Sequence, residues 1–370
     1  MDRIWKRLQD WKLKFLSQAG KEILIKAVIQ AISSYCMSVF LLSRALCKDI
    51  NKLMQKFWWS HFNKDSNVHW MSWKRMGVAK KMGGMRFWDL HAFNIVLLAK
   101  QCWRLWKAPD SLIAKIMEWK YYLEGSILTA SVGLNPSFAW RSIHGLCGLL
   151  NEGLIWRVRN GKIIRIWQER WLPNASTYKV ISPPTVLDPL ATVSELIRTN
   201  TRWWDIELLS RIFTREEVDL IQTMPVSSTT NEDILVWQGT KTGMFSVRSA
   251  YHIQLELETR NAASSSNHTG TSTVWTSLWA LKIPNAKKNF LWRACHDILP
   301  TKANLCKRKI IDDPLCPLCE RETKMVLHAL WQCPTAMDAW SRGCTKLHKK
   351  KKLQFRYYFF PCCGRYLAEV

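Results

Sequence analysis

Acidic side chains are in short supply: 29 Asp and Glu stand against 54 Lys and Arg over 370 residues, a formal charge of +25. A deficit of that size points to polyanionic partners, nucleic acid first among them, because neutralising phosphates releases their counterions. An ordinary soluble basic protein is the alternative reading. Long uncharged apolar runs are also missing. The longest, AVIQAISSYCMSVFLLS from Ala27 to Ser43, contains Gln30, Ser33, Ser34 and Ser38 and falls short of the ~20 residues a membrane span needs. A buried helix followed by an extended segment is expected there, and no membrane partner. Nor does MDRIWKRLQDW, at the start, hold the apolar core of a secretion signal. The twelve cysteines are therefore expected in a reducing intracellular compartment, nuclear or cytoplasmic, and the chain is far larger than disulfide miniproteins.

What is present is unevenly placed. Residues 1–100 carry 18 basic and 6 acidic side chains, residues 201–250 carry 5 and 7, and the last seventy residues carry 14 and 6. A polyanion is expected along the first hundred residues and around the C-terminal cysteines, with the acidic middle as scaffold. At this length two or three domains can each bury an ordinary core.

The first 125 residues read as helical. LSQAGKEILIKAVIQAI sets Leu24, Ala27, Val28 and Ala31 at i, i+3, i+4, i+7, with Ser17 as a candidate N-cap. NKLMQKFWW and FNIVLLAKQCWRLWKA read as further amphipathic helices. Between them VAKKMGGMRFWDL places Lys80, Lys81 and Arg86 around Gly83-Gly84. This is a flexible basic loop suited to a phosphate backbone, or equally a glycine turn with solvated lysines. Near residue 160 the period changes. In LIWRVRNGKIIRIW, Asn160-Gly161 separates two alternating segments, the pattern of a hairpin with a type I′ turn. Leu154, Trp156, Val158, Ile163 and Trp167 then share one face, and Arg157, Arg159 and Lys162 gather near the tip, facing phosphates or simply water. A second hairpin is expected in DILVWQGTKTGMFSV, followed by a helix starting near Ser246. RNAASSSNHTGTSTV, residues 260–274, has the composition of a flexible linker. Short helices are expected after it in WTSLWAL, NAKKNFLWRACHDIL and PTKANLCKRK.

LCPLCERETKMVLHALWQC then presents Cys316, Cys319, His328 and Cys333 as C-x2-C-x8-H-x4-C. Zinc takes four tetrahedral N or S ligands, and a C-x2-C knuckle closed by a downstream His and Cys supplies such a set. Pro317 and Leu318 fill the knuckle, and ETKMVLHALWQ is long enough for a short helix that brings His328 back and releases Cys333 past its end. Four ligands leave no open position, so a single structural zinc is expected. A chance gathering in a cysteine-rich chain is the competing explanation, and a redox C-x-x-C lacks the βαβ surroundings it needs. Cys344, His348, Cys362 and Cys363 match no defensible ligand spacing. Cys36, Cys47, Cys102, Cys147, Cys295 and Cys306 read as small core side chains. The 22 tryptophans read mainly as helix core, with stacking platforms for single-stranded bases as the other use.

Together these blocks resemble the C-terminal part of plant non-LTR (LINE-type) retrotransposon reverse transcriptases, from about Met1 to Trp340. LSQAGKEILIKAVIQAISSYCMSVF is similar to the segment after the polymerase palm. GGMRFWDLHAFNIVLLAKQCWRLW, IWRVRNGKIIRIWQERWLP and DILVWQGTKTGMFSVRSAY resemble the connecting region. VWTSLWALKIPNAKKNFLWRACHDILPTKANLCKRKIIDDPLCPLCERETKMVLHALWQCPTAMDAW resembles the reverse transcriptase zinc-binding domain nearly end to end. The resemblance implies an ancestor that handled RNA and DNA, and it maps the metal ligands onto Cys316, Cys319, His328 and Cys333. Polymerase chemistry needs clustered carboxylates for two metal ions. The family's Tyr-x-Asp-Asp motif has no counterpart here, and the adjacent aspartates Asp312-Asp313 lie beside the zinc knuckle. The tail TKLHKKKKLQFRYYFFPCCGRYLAEV departs from the family, although HKKKK could serve as a basic tail or nuclear signal.

The sequence thus predicts an α+β fold, mostly α, in five segments. Residues 1–125 form a basic helical region, 126–259 a connecting region with two hairpins, 260–274 a flexible linker, 275–341 a small helical zinc-binding domain, and 342–370 a basic tail. The expected function is a non-catalytic, zinc-binding, nucleic-acid-binding fragment of a reverse transcriptase that contacts RNA or DNA with weak sequence preference. Lys80, Lys81, Arg86, Arg157, Arg159 and Lys162 are the candidate contacts. The alternatives are part of an RNA-directed DNA polymerase whose palm lies elsewhere, a zinc-stabilised protein-interaction module, and a decayed reading frame.

Overall fold

The computed structural model describes residues 16–32, 34–60, 68–123, 125–173, 177–198, 202–226, 231–261 and 272–345, together with residues 6 and 200. The fold is mostly helical with one small antiparallel sheet. In chain order α1 (Gln18–Leu24), α2 (Arg44–Trp59), α3 (Trp73–Gly77), α4 (Leu90–Lys107), α5 (Leu112–Tyr121), α6 (Phe138–His144) and α7 (Cys147–Gly153) precede strand β1 (Leu154–Arg157). After it come α8 (Ile206–Ile212), α9 (Arg215–Gln222), strand β2 (Ile234–Trp237), α10 (Val247–Asn261), α11 (Ser272–Ala280), α12 (Asn285–Cys295), α13 (Lys302–Lys307) and α14 (Pro334–Thr345). Among the described residues no helix is long and apolar enough to cross a membrane.

Local chemistry accounts for most helix starts. The Ser17 hydroxyl accepts the Gly20 N–H at 3.2 Å and opens α1, and Ser43 does the same for the Leu46 N–H at 3.2 Å to open α2. Thr214 and Glu217 form a reciprocal capping box at α9. α1 runs into a π-helical turn, Ile25–Ile29, whose first and last residues are fully buried.

The described residues form two compact units, each discontinuous in sequence: those within 16–35, 42–91 and 272–345 make one, those within 36–41 and 92–261 the other. In the first, Trp58 and Trp59 of α2, Phe87, Trp275 and Trp292 are buried, and Trp73 stacks on Phe87 with ring centroids 4.8 Å apart. In the second, Trp140 stacks on Tyr121 at 4.5 Å, and Trp103 and Phe245 meet Trp237 edge-on or tilted. A further core in that unit gathers Ile164, Ile166, Trp171, Val193, Leu196, Trp204 and Leu209. Burial of these rings agrees with the reading of tryptophan as core.

The two expected hairpins are replaced by one two-stranded sheet. β1 pairs antiparallel with β2, Leu154 opposite Trp237 and Arg157 opposite Ile234, so each strand takes its partner from about eighty residues away. Asn160-Gly161 does turn the chain, and Gly161 has φ +69. The turn is held by the buried Asp233 carboxylate, which accepts the N–H groups of Arg159 (2.7 Å), Gly161 (3.0 Å) and Ile163 (3.3 Å). A charged acceptor with three donors outcompetes a two-residue hairpin ladder. As a result Ile163, expected on the core face, is 51 % exposed. One smaller expectation fails and one is decided between its alternatives. Cys36 is exposed, whereas Cys47, Cys102, Cys147 and Cys295 are buried as expected. Gly83-Gly84 forms a packed turn in place of a flexible loop: Gly83 has φ +86 and closes a short 3-10 turn, Lys80–Met82, with its Cα against the Trp275 ring. The expected linker falls mainly on residues 262–271, which lie outside the described residues, as does the tail from residue 346.

Candidate metal centre

The metal motif is built by a knuckle and a widened helical turn. Beyond α13 the chain makes a single antiparallel bridge between Leu315 and Thr323. Within it the Cys316 N–H bonds the Glu322 carbonyl at 2.8 Å, and the Glu320 N–H bonds the Cys316 carbonyl at 2.8 Å. Glu320 takes the left-handed conformation (φ +53) that folds the knuckle back. Four residues downstream of Lys324 the chain enters a π-helical turn, His328–Gln332, closed by the Cys333 N–H on the His328 carbonyl at 3.0 Å. In an α-helix, residues five apart are rotated about 140° from one another. The wider π turn returns Cys333 toward the side of His328. Pro334 then opens α14 at its first position, leaving Cys333 just ahead of the new helix.

This local folding brings four ligand atoms together. The sulfurs of Cys316, Cys319 and Cys333 and a ring nitrogen of His328 all lie within 4.8 Å of one another. Cys316 and Cys333 sulfurs are 4.0 Å apart, and Cys319 Sγ is 3.4 Å from His328 Nε2. A tetrahedral ion with ordinary zinc bond lengths needs S···S edges of about 3.8 Å and S···N edges of about 3.5 Å. The set therefore fits such an ion, with its longest edge somewhat open. Cys316, Cys333 and His328 are buried, and Cys319 is half-buried.

The surroundings favour thiolates. The Arg321 N–H, joined by the Glu322 N–H and the His328 ring, holds the Cys319 thiol down to about 6. Burial opposes ionisation of Cys333, but the N–H groups of Ala336 and Thr335 at the start of α14 outweigh it and lower its pKa. Burial likewise opposes charging of His328, but the hydrogen bond and charge of Cys319, joined by Glu322 and Cys333, together outweigh it, so the imidazole pKa is raised. Sulfurs that draw a proton onto the neighbouring imidazole form a donor set suited to a cation. Glu322, which the spacing did not single out, accepts from His328 Nδ1 at 2.9 Å and thereby orients Nε2 toward the sulfurs. An acidic residue inside the knuckle-to-histidine spacer was the available clue.

The six basic candidates divide between the two units. Lys80, Lys81 and Arg86 belong to the unit that holds the metal motif; Arg157, Arg159 and Lys162 belong to the other. Lys80 is engaged: its ammonium lies 2.8 Å from Glu22 and 4.1 Å from the centroid of the Trp279 ring. Lys81 and Arg86 are exposed. Arg157 and Lys162 are exposed and Arg159 is half-buried, its backbone committed to Asp233. The acidic partner of Lys80 was not legible, because Glu22 is 58 positions away in sequence.

A helical domain closed around a Cys3His metal motif is the architecture of an accessory zinc-binding domain. The family described as zinc-binding in reverse transcriptase matches residues 245–340, which contain all four ligands. Over 350 residues, 92% of this chain and 55% of the relative, the chain is 27% identical to an Arabidopsis thaliana protein named "Putative ribonuclease H protein". Over 144 residues, 38% of this chain and 93% of the relative, it is 38% identical to an uncharacterized mitochondrial protein of Arabidopsis thaliana. The chain belongs to the plant retrotransposon reverse transcriptase family and carries that family's zinc-binding domain. It spans just over half the length of the first of these relatives.

Proposed function

We propose that the chain is a non-catalytic, zinc-stabilised, nucleic-acid-binding part of a non-LTR (LINE-type) retrotransposon reverse transcriptase. The observation that carries this reading is the convergence of the ligand atoms of Cys316, Cys319, His328 and Cys333 within 4.8 Å, inside the stretch similar to the reverse transcriptase zinc-binding family. Zinc is the ion that three thiolates and an imidazole in a closed tetrahedral set suit best, and with no open position its role is structural. Nucleic acid is the partner that a formal charge of +25 suits, with exposed Lys81, Arg86, Arg157 and Lys162 available to phosphates. Absence of a Tyr-x-Asp-Asp motif from the sequence supports the non-catalytic reading. So does the engagement of Asp313, which pairs with Lys302 at 2.7 Å and accepts the Leu315 N–H at 2.9 Å.

The test is metal content of the full chain purified without added metal, paired with binding of a labelled single-stranded RNA at two salt concentrations. One zinc per chain is expected, with affinity falling about fiftyfold over a fourfold rise in salt if roughly four phosphates are neutralised. Zinc-free protein, or affinity indifferent to salt, overturns the reading. The longer relative named for ribonuclease H, of which the chain matches 55%, favours a second reading: the same region acting beside a catalytic palm in a longer polypeptide. Extension of a primed RNA template by this chain alone would overturn the non-catalytic proposal.

A further inference from the structure

The buried face of α12 holds an arginine that no carboxylate among the described residues neutralises. Asn289 is 1 % exposed, and neither its amide nitrogen nor its amide oxygen has a hydrogen-bond partner among the described residues. One helical turn on, at i+4 and so on the same side of the helix, Arg293 is half-buried, and its Nε likewise has no partner among the described residues. Its guanidinium carbon lies 5.8 Å from the centroid of the Trp59 ring. Trp59 is itself 2 % exposed with an unpartnered indole N–H. Among the described residues no ion pair is made by Arg293, and burial alone pulls its pKa below the usual guanidinium value.

Buried donors in folded proteins are nearly always bonded, and leaving one unpaired costs free energy. Here the amide nitrogen of Asn289, the Nε–H of Arg293 and the indole N–H of Trp59 give three unpartnered donors and one positive charge, against a single unpartnered acceptor, the Asn289 amide oxygen. The complement of such a group is an anion. A guanidinium on an aromatic face offers its planar fork to a tetrahedral oxyanion better than to water, and half-burial leaves it open to solvent on one side. We propose that Arg293 and Asn289, backed by Trp59, form a subsite for one phosphate group of a nucleic-acid backbone. This rests on the nucleic-acid reading above and adds to it a specific place on α12 that sequence pattern did not nominate.

The experiment uses the full chain, a 5′-labelled oligouridylate RNA, and two variants. Arg293→Gln removes the charge. Asn289→Asp places a carboxylate beside Arg293, which occupies the guanidinium internally and keeps the helix face polar. Both variants are expected to retain zinc, to bind the RNA about five- to tenfold more weakly at low salt, and to lower the slope of log affinity against log salt by about 0.7, the value for one phosphate on a single strand. A residue that merely supports the fold leaves that slope unchanged. If native protein binds with a steep salt dependence and Asn289→Asp keeps both affinity and slope, the subsite is overturned while the nucleic-acid reading stands. If native protein does not bind the RNA at all, both fall. Should Arg293→Gln lose its fold, Asn289→Asp alone decides.

Discussion

The Glu322 carboxylate accepts His328 Nδ1–H at 2.9 Å, which leaves Nε2 as the nitrogen facing the sulfurs. Partners of this kind typically carry ten- to a hundredfold of metal affinity. Glu322→Gln is therefore expected to weaken zinc binding about tenfold in chelator competition while leaving the helix content unchanged; equal affinity would show that the imidazole is oriented without it. His296 is the residue whose titration the fold controls most clearly. Burial, assisted by Arg75 and opposed by the Gly83 carbonyl, pushes its pKa from 6.5 down to about 4. Its Nε2 donates to that carbonyl at 2.7 Å, and Nδ1 is buried without a partner among the described residues. The unfolded chain takes up the proton near pH 6.5 and the folded chain only near 4. Stability from this residue is thus complete above 6.5 and is lost as pH falls toward 4. At pH 5 the loss is on the order of 2 kcal/mol. His296→Gln, which keeps a donor for Gly83, should show a smaller drop in urea midpoint between pH 7 and pH 5 than native protein. Metal loss on acidification is common to both and cancels, so identical drops would contradict the assignment.

At the scale of elements, β1 and β2 depend on a carboxylate that adjoins one strand in sequence and bonds the turn after the other. Asp233 precedes β2 and accepts three N–H groups from the turn after β1. Truncation leaves those donors unpaired at a cost of about 2–4 kcal/mol. Asp233→Ala should lower the chemical stability by that amount, and Asp233→Asn, which retains one acceptor oxygen, by less; a loss below about 0.5 kcal/mol, within the range of ordinary surface changes, would mean that the turn holds itself. The same residues explain what was legible. The helix start at Ser17 could be read because a cap and the turn it closes lie within four residues. The knuckle and His328 could be read because metal ligands are rare residue types at fixed spacing. Asn160-Gly161 misled because its local pattern fits a hairpin, whereas the partner strand and Asp233 lie more than seventy positions away. No window of local sequence distinguishes the two. Glu322 and the pairing of Glu22 with Lys80 were hidden for a related reason: acidic residues are common on surfaces, and only the folded backbone selects the ones that matter.

At the scale of the whole molecule, the charge distribution and the ordered family blocks could be read along the chain, but the way the chain returns on itself could not. Read linearly, residues 275–341 form a small domain beyond a linker. In the structure residues 272–345 share a compact unit with 16–35 and 42–91. The joint is specific: the Gly83 carbonyl accepts both Trp292 Nε1–H and His296 Nε2–H at 2.7 Å, and the Trp275 ring lies against Gly83. All three rings belong to α11, α12 or the residue after it, the helices that lead into the metal motif. Structural zinc sites supply apparent free energies of roughly 10–16 kcal/mol, several times what a satellite core of Ala294, Leu299 and Val326 can provide at about 1.5–3 kcal/mol per large buried side chain. Removing the ion should therefore loosen the unit as a whole. Hydrogen exchange after chelation is expected to show amides of residues 42–60, 68–91 and 272–345 losing protection together, with residues 92–261 keeping theirs. Loss confined to residues 313–337 would show that the metal stabilises only its own knuckle and turn, and that the aromatic joint at Gly83 holds the unit without it.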